Sequence, residues 1–412
     1  MIQPHAGIEK NKLVFTLLVL SNFFVGGMVG LERTILPLLA EHNFQIASHT
    51  AILSFIILFG ITKATVNFFV GGLSENWGRH RLLVAGWLIA LPIPFLLMWA
   101  PNWYWILTAN ALLGISQALT WSMTVVMKVD VATARQRGLV IGLNEFAGYG
   151  GLAILAYLSA VVANKWGLQP YPFYLGVVLV VLGLALSLIL PDTRAEAVKK
   201  RHQQPAVAFN LWQTFRQTSW QNKPLFAASF SGLITNFKDG VVWGLLPLFL
   251  LNRQLSVDRI GVVVAAYPII WSILQLLFGP LSDVVGRRRL IVPGMAIQGV
   301  GVAVLIIAQQ FNTFLLASTL LGIGTAMVYP TLLAFVSDVA KVTWRASALG
   351  IYRFWRDSGY AIGALISGVL ADLMNVQVAL IVVVILCGIA ALLSFGVMPT
   401  GKPSEIKNKN GS

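Results

Sequence analysis

The run Tyr352-Arg353-Phe354-Trp355-Arg356-Asp357 lies inside a stretch that is otherwise apolar. On a helix Arg353, Arg356 and Asp357 stand at i, i+3 and i+4 and share one face. Arg353 is then placed to pair with Asp357, and Arg356 is left for an anion or for Glu145. Other apolar stretches carry similar intrusions: Glu32 and Arg33; Lys63 and Asn67, again one helical turn apart; Asn144, Glu145 and Tyr149; and Asn236, Lys238 and Asp239. An ionisable side chain at mid-depth in a bilayer costs about 2.5–3.5 kcal/mol on insertion scales, so each is a candidate for substrate or ion handling with a partner expected. Glu145 and Tyr149 share a face, and a carboxylate there is suited to carrying a proton. Glu32 and Arg33 point about 100° apart, so they need not pair with each other. The structural alternatives are an interfacial pair for Glu32 and Arg33, and neutralisation against other helices for Lys238 and Asp239.

The same inspection excludes much chemistry. The histidines, His5, His42, His49, His80 and His202, fall in loops or tails, so a proton relay has to use carboxylates: Glu145, Asp239, Asp357 or Glu32. No catalytic residue set, metal-ligand cluster, nucleotide loop or nucleophile elbow is spelled out, and no cofactor is implied. Cys387 is the single cysteine, which rules out a disulfide within the chain.

The elements that must hold these residues follow from composition. Hydrophobic residues make up 57% of the 412 and charged ones 11%. Mean hydropathy is +0.78. A soluble fold of this length has no core large enough for that apolar surface; lipid is the alternative solvent. A spanning helix takes roughly 20 apolar residues. Twelve such runs lie near 13–40, 48–71, 81–100, 103–128, 137–162 and 170–191, then 225–251, 259–281, 288–309, 311–337, 344–371 and 376–398. The first run is too long for the core of a cleaved signal.

The net charge of +14 sits mostly in short loops. Arg79 and Arg81, Arg135 and Arg137, Arg194 through Lys223, Arg287 through Arg289, and Lys341 with Arg345 alternate with sparse loops holding Lys165, Arg253 and Arg259. The positive-inside rule puts the first set, and both termini, in the cytoplasm. No aromatic-basic platform for nucleic acid stands out. The expected organisation is a tail at 1–12, a six-helix bundle at 13–191, a cytoplasmic connector at 192–224, a second bundle at 225–398 and a tail at 399–412. The connector ends in Phe209-Asn210-Leu211-Trp212-Gln213-Thr214-Phe215, amphipathic enough for a membrane surface and equally compatible with a solvated linker carrying a short helix.

An internal repeat divides the chain. Glu75 and Asp283 are 283 − 75 = 208 positions apart, and the same offset joins Gly114 to Gly322, Asp130 to Asp338, Arg137 to Arg345 and Gly142 to Gly350. One register across so many pairs points to two related halves packed as parallel repeats. In the two loops the leading glycine allows close helix packing, the acid can accept bonds from orphan N–H groups at a helix start, and the second glycine allows a tight turn.

Gly279-x-x-x-Asp283-x-x-Gly286-Arg287-Arg288 resembles the signature loop motif of the major facilitator superfamily, and Gly71-x-x-x-Glu75-x-x-Gly78-Arg79 looks like its first-half counterpart. The resemblance implies an all-α membrane fold, two six-helix bundles around a central cavity, a monomer, and loops that latch the cytoplasmic side in the outward-facing state. By that analogy Glu75 meets the start of span eleven near Arg345, Asp283 meets the start of span five near Arg137, and Asp130 and Asp338 meet the loop arginines. Departures from the pattern are Glu75 for Asp, Asn76 for Arg, Asn110 for an Arg before Gly114, and Phe146-Ala147 for a Gly-Pro pair before Gly150-Gly151. The last two argue against a specific drug/proton antiporter.

Taken together these residues predict a secondary transporter for a small charged or zwitterionic solute, driven by a proton gradient, with export slightly favoured by the glycine run of span five. An uncoupled facilitator and a symporter for an organic anion or metal chelate are the alternatives on the same fold. The chelate rests on a similarity of 142–149 and 352–357 to bacterial permeases of unassigned substrate, some of them associated with magnetosomes. A non-transporting receptor would call for an appended domain, and a membrane enzyme for clustered catalytic residues; neither pattern is present.

Overall fold

The computed structural model describes residues 8–133, 136–193, 211–340 and 344–400. The expectations that fall on Arg135, on 194–210, on Lys341 and on the tails at 1–7 and 401–412 lie outside the described residues, as do the side chains of Glu75 and Arg137.

Among the described residues twelve long helices carry the fold: α1 (Lys12–His42), α2 (His49–Trp77), α3 (Arg79–Ala90, continued past a break by Ile93–Met98), α4 (Trp103–Val131), α5 (Arg137–Trp166) and α6 (Tyr174–Ile189), then α7 (Lys223–Leu251), α8 (Val257–Val285), α9 (Arg288–Ile307), α10 (Phe311–Val339), α11 (Arg345–Leu373) and α12 (Val376–Val397). Among the described residues, eleven spans are long and apolar enough to cross a membrane, and α11 is the twelfth long helix, kept off that set by its charges. Ser48, Asn102, Asn222 and Asn375 each accept a bond from a backbone N–H in the first turn of the helix they start. The stops are as local. Gly78 and Gly286, the turn glycines of the two signature loops, have φ of +92° and +102°, a region closed to residues with a Cβ. His42, His49 and His80 fall in the terminal turns of helices rather than in loops.

Close approach of backbones sets the pairing. In the first half α1 lies against α5: a Cβ on Gly26 would meet the Gly148 carbonyl, one on Gly30 the Leu152 carbonyl, and one on Gly151 the Phe23 carbonyl. In the second half α7 lies against α11, where Gly359 and Gly363 meet the Leu233 and Phe237 carbonyls. Gly151 and Gly359 are 359 − 151 = 208 apart, so the repeat register extends into the packing. Interlocking small residues let dispersion contacts hold helices where lipid offers no hydrophobic drive. The outer faces of α6 (Val178, Val181, Leu182) and α12 (Ile381, Ile385, Leu392) are exposed and apolar, as a lipid contact requires.

The halves meet where α5 packs on α8 and α2 on α11. Away from the signature loops this seam is sealed. Asp372, in the last turn of α11, accepts bonds from Ser48 Oγ (2.7 Å) and from the His49 and Thr50 backbone N–H groups (2.5 and 3.0 Å). A carboxylate at a helix N-terminus satisfies orphan donors and complements the dipole. Gly368 lies against Thr50, and Gly261 against Ala160, so the seal is also steric. The short helix Leu211–Arg216 packs through Phe215 on Phe354 and Trp355 of α11, and Trp355 Nε1 donates to Ser219 Oγ at 2.8 Å. The end of the connector is thus docked on the bundle.

Candidate functional site

A cavity of about 520 Å³ lies between the halves and reaches the end of the molecule that bears the signature loops. Its walls come from both: Lys63, Asn67, Trp121, Ser122, Glu145 and Tyr149 on one side, Gln275, Tyr329, Arg353 and Arg356 on the other. Asp283 and Arg287 stand at its mouth. Its roof is aromatic and shared: Tyr149 stacks on Trp271 (centroids 3.5 Å), its hydroxyl lies 3.0 Å from that of Tyr329, and Trp121 meets it edge-on.

Glu145 is the first-half carboxylate of this wall. Its Oε1 accepts from Trp121 Nε1 and from Asn144 Nδ2, both at 3.0 Å. Behind it Lys128 is fully buried and donates from Nζ to Asn144 Oδ1 at 2.5 Å. Asn22 of α1 braces Asn144 from the other side by donating to its carbonyl at 2.7 Å. A chain therefore runs from a buried ammonium through an amide to a cavity carboxylate. The apolar run near 103–128 places Lys128 at a helix end; α4 continues to Val131 and carries it inside.

On α11 the expected pairing is overturned. Asp357 is held by its neighbour: Arg356 Nε and Nη2 lie 2.9 and 2.8 Å from Oδ1, while Asn67 of α2 donates to Oδ2 at 3.0 Å. Both oxygens are used, so Arg353 is not paired with Asp357, and its Nε is buried without a partner. Arg356 is not free either; its guanidinium also rests over the Tyr329 ring, 4.9 Å from the centroid. Lys63 faces the cavity without an ion pair among the described residues, 5.3–5.7 Å from the centroids of Phe59, Trp121 and Tyr360.

The remaining candidates are not brought into the cavity. Lys238 and Asp239 are fully buried and neutralise each other at 2.9 Å. Lys238 also donates to Tyr267 Oη and Thr325 Oγ1, at 2.6 and 2.7 Å, and Tyr267 donates to Asp239 at 2.5 Å. Asn236 is buried beside them, and Tyr352 is buried against Gly232 of α7. Glu32 and Arg33 are buried rather than interfacial, and Arg33 sits 4.9 Å from the ring centroids of both Phe59 and Trp243, across the seam between the halves.

Of the latch residues, Arg287 Nε lies 3.0 Å from Asp338 Oδ2, and Arg79 Nε lies 3.4 Å from Asp130 Oδ2. Asp283 is 63% exposed and pairs with Arg287 of its own loop at 2.5 Å; its expected partner at the start of α5, the Arg137 side chain, lies outside the described residues. Arg345 Nε donates to the Ala340 carbonyl at 3.3 Å. Gly71 and Gly279 lie in the last turns of α2 and α8. Beyond the expected set, the wall includes Trp121, Ser122, Gln275 and Tyr329, with Lys128 and Trp271 behind it. Among the described residues no group of three or more His, Cys, Asp or Glu could hold a metal ion.

A family model described as Major Facilitator Superfamily matches residues 18–237 and 228–411. An uncharacterised MFS-type transporter of Methanocaldococcus jannaschii is 20% identical over 77% of this chain and 81% of its own length. The quinolone resistance protein NorA of Staphylococcus aureus is 25% identical over 37% of this chain, and the match spans 40% of that protein. Among solved structures, the nucleoside transporter NupG in a point-substituted form aligns with a TM-score of 0.76 over 94% of this chain and 100% of that one, at 13% identity. That likeness is one of fold.

Proposed function

The chain belongs to the major facilitator superfamily and is a multi-pass membrane transporter, and from that premise we propose that it is a secondary active transporter moving a small charged or zwitterionic solute by alternating access, coupled to protons. The observation that carries this reading is the cavity: open at one end, sealed at the other, and lined by charges of both signs from both halves. Its state is then inward-open, because the basic loops place the open end in the cytoplasm. Both termini are cytoplasmic, the membrane is the bacterial inner membrane, and the working unit is a monomer. Export is the favoured direction, supported by the glycine packing of α5 and by the partial similarity to NorA.

Glu145 is the proton carrier in this scheme. It is the cavity carboxylate that accepts from neutral donors, Trp121 and Asn144, whereas Asp357 is engaged by a guanidinium. No cofactor is needed, since the gradient supplies the energy. In proteoliposomes a solute gradient should drive proton movement with the wild type; Glu145→Gln should abolish it while solute exchange persists. Solute movement without protons in the wild type would replace coupling with facilitated diffusion.

A further inference from the structure

Resting on the transport reading above, we infer that the substrate is an organic anion with a flat unsaturated body. The charges of the cavity wall select for such a solute. Arg356 and Asp357 neutralise each other at 2.8 Å and contribute little net field. Glu145 is negative on the wall, but it does not face the cavity uncompensated. Lys128, fully buried, sits one amide away and is tied to it through Asn144. Among the described residues that ammonium donates to a neutral amide, and the carboxylate beyond the amide offsets part of the cost of burying its charge.

With Glu145 balanced from behind and Asp283 paired with Arg287 at the mouth, Lys63 and Arg353 remain. Neither has an ion pair among the described residues, and the Arg353 Nε is buried with no acceptor at all. They are the unspent donors of the site, and a guanidinium and an ammonium together suit a carboxylate, sulfonate or phosphoryl group. Glu145 acts on Lys63 and Arg353 only at longer range, without an ion pair, and the rings beside it, Trp121, Tyr149 and Tyr329, bring no formal charge. Those same rings give the upper wall a π surface, and a flat ring docks there at low entropic cost.

Isothermal titration of the full-length protein in detergent tests this with three probes: 2-naphthoate, 2-naphthylmethylamine and cyclohexanecarboxylate. Naphthoate should bind at least about tenfold more tightly than the amine and about threefold more tightly than the saturated acid. Arg353→Gln should weaken naphthoate about tenfold and leave the amine unchanged. Lys128→Met should move the naphthoate-to-amine ratio toward the amine by about tenfold, a shift of selectivity that a packing defect alone does not produce. If Lys128→Met fails to fold, the Arg353 arm decides. Equal or better binding of the amine, no discrimination against the saturated ring, or no binding of naphthoate would each overturn the proposal. Binding does not require a gradient, so naphthoate binding without proton flux would remove coupling and leave the anion standing, while flux with a cation would do the reverse.

Discussion

Among the described residues two lysines are fully buried, one in each half, and they have opposite surroundings. Lys238 in the second half has a carboxylate at 2.9 Å and hydroxyls from Tyr267 and Thr325, a partner for each of its three ammonium protons, and it does not line the cavity. Lys128 in the first half has one neutral amide, and the chain beyond that amide ends on a cavity carboxylate. A buried charge that is fully satisfied by its neighbours fixes packing. One left partly satisfied transmits its field to whatever lies at the end of its hydrogen bonds. Burial alone therefore does not separate a structural charge from a working one; the destination of its bonds does.

The contrast can be broken most severely at the second-half pair. Lys238→Met or Asp239→Asn leaves the other charge alone in the bundle and should cost about 3–5 kcal/mol, read by thermal unfolding in detergent, with the double variant Lys238→Met/Asp239→Leu recovering much of it. Lys128→Met should cost less, about 1–3 kcal/mol for one charged bond and an amide left wanting. Its uphill transport should nevertheless fall at least about tenfold, and a variant that unfolds mildly yet transports normally would remove the distinction drawn here. The smallest effect is expected at Tyr267→Phe, which deletes only the hydroxyl bridging Lys238 and Asp239. About 0.5–1.5 kcal/mol of stability should go, with flux inside twofold of wild type.

What was legible in the sequence was whatever is written locally. Hydropathy marked the spans, and the charges of α11 marked it as the exceptional one. The signature loops carried their turn glycines, whereas the Arg287–Asp338 pair, whose members stand 51 residues apart, was implied only by the family resemblance. Choices made across the bundle were not legible. Helical spacing offered Arg353 to Asp357, but Asn67 from α2 and the Tyr329 ring from α10 settled the carboxylate on Arg356. Lys128 was hidden by a helix end placed one turn early. The pairing of Glu145 with Trp121 joins α5 to α4, and the roof joins four helices, so neither has a sequence period to betray it.

The roof has a use beyond transport. Trp121 and Trp271 belong to different halves, and both lie against Tyr149. Any cycle that opens the far side must part that stack and wet at least one indole. Intrinsic emission should then shift to the red as the roof opens, so the protein carries its own optical gauge of conformation, legible without an attached dye once the remaining tryptophans are replaced by phenylalanine.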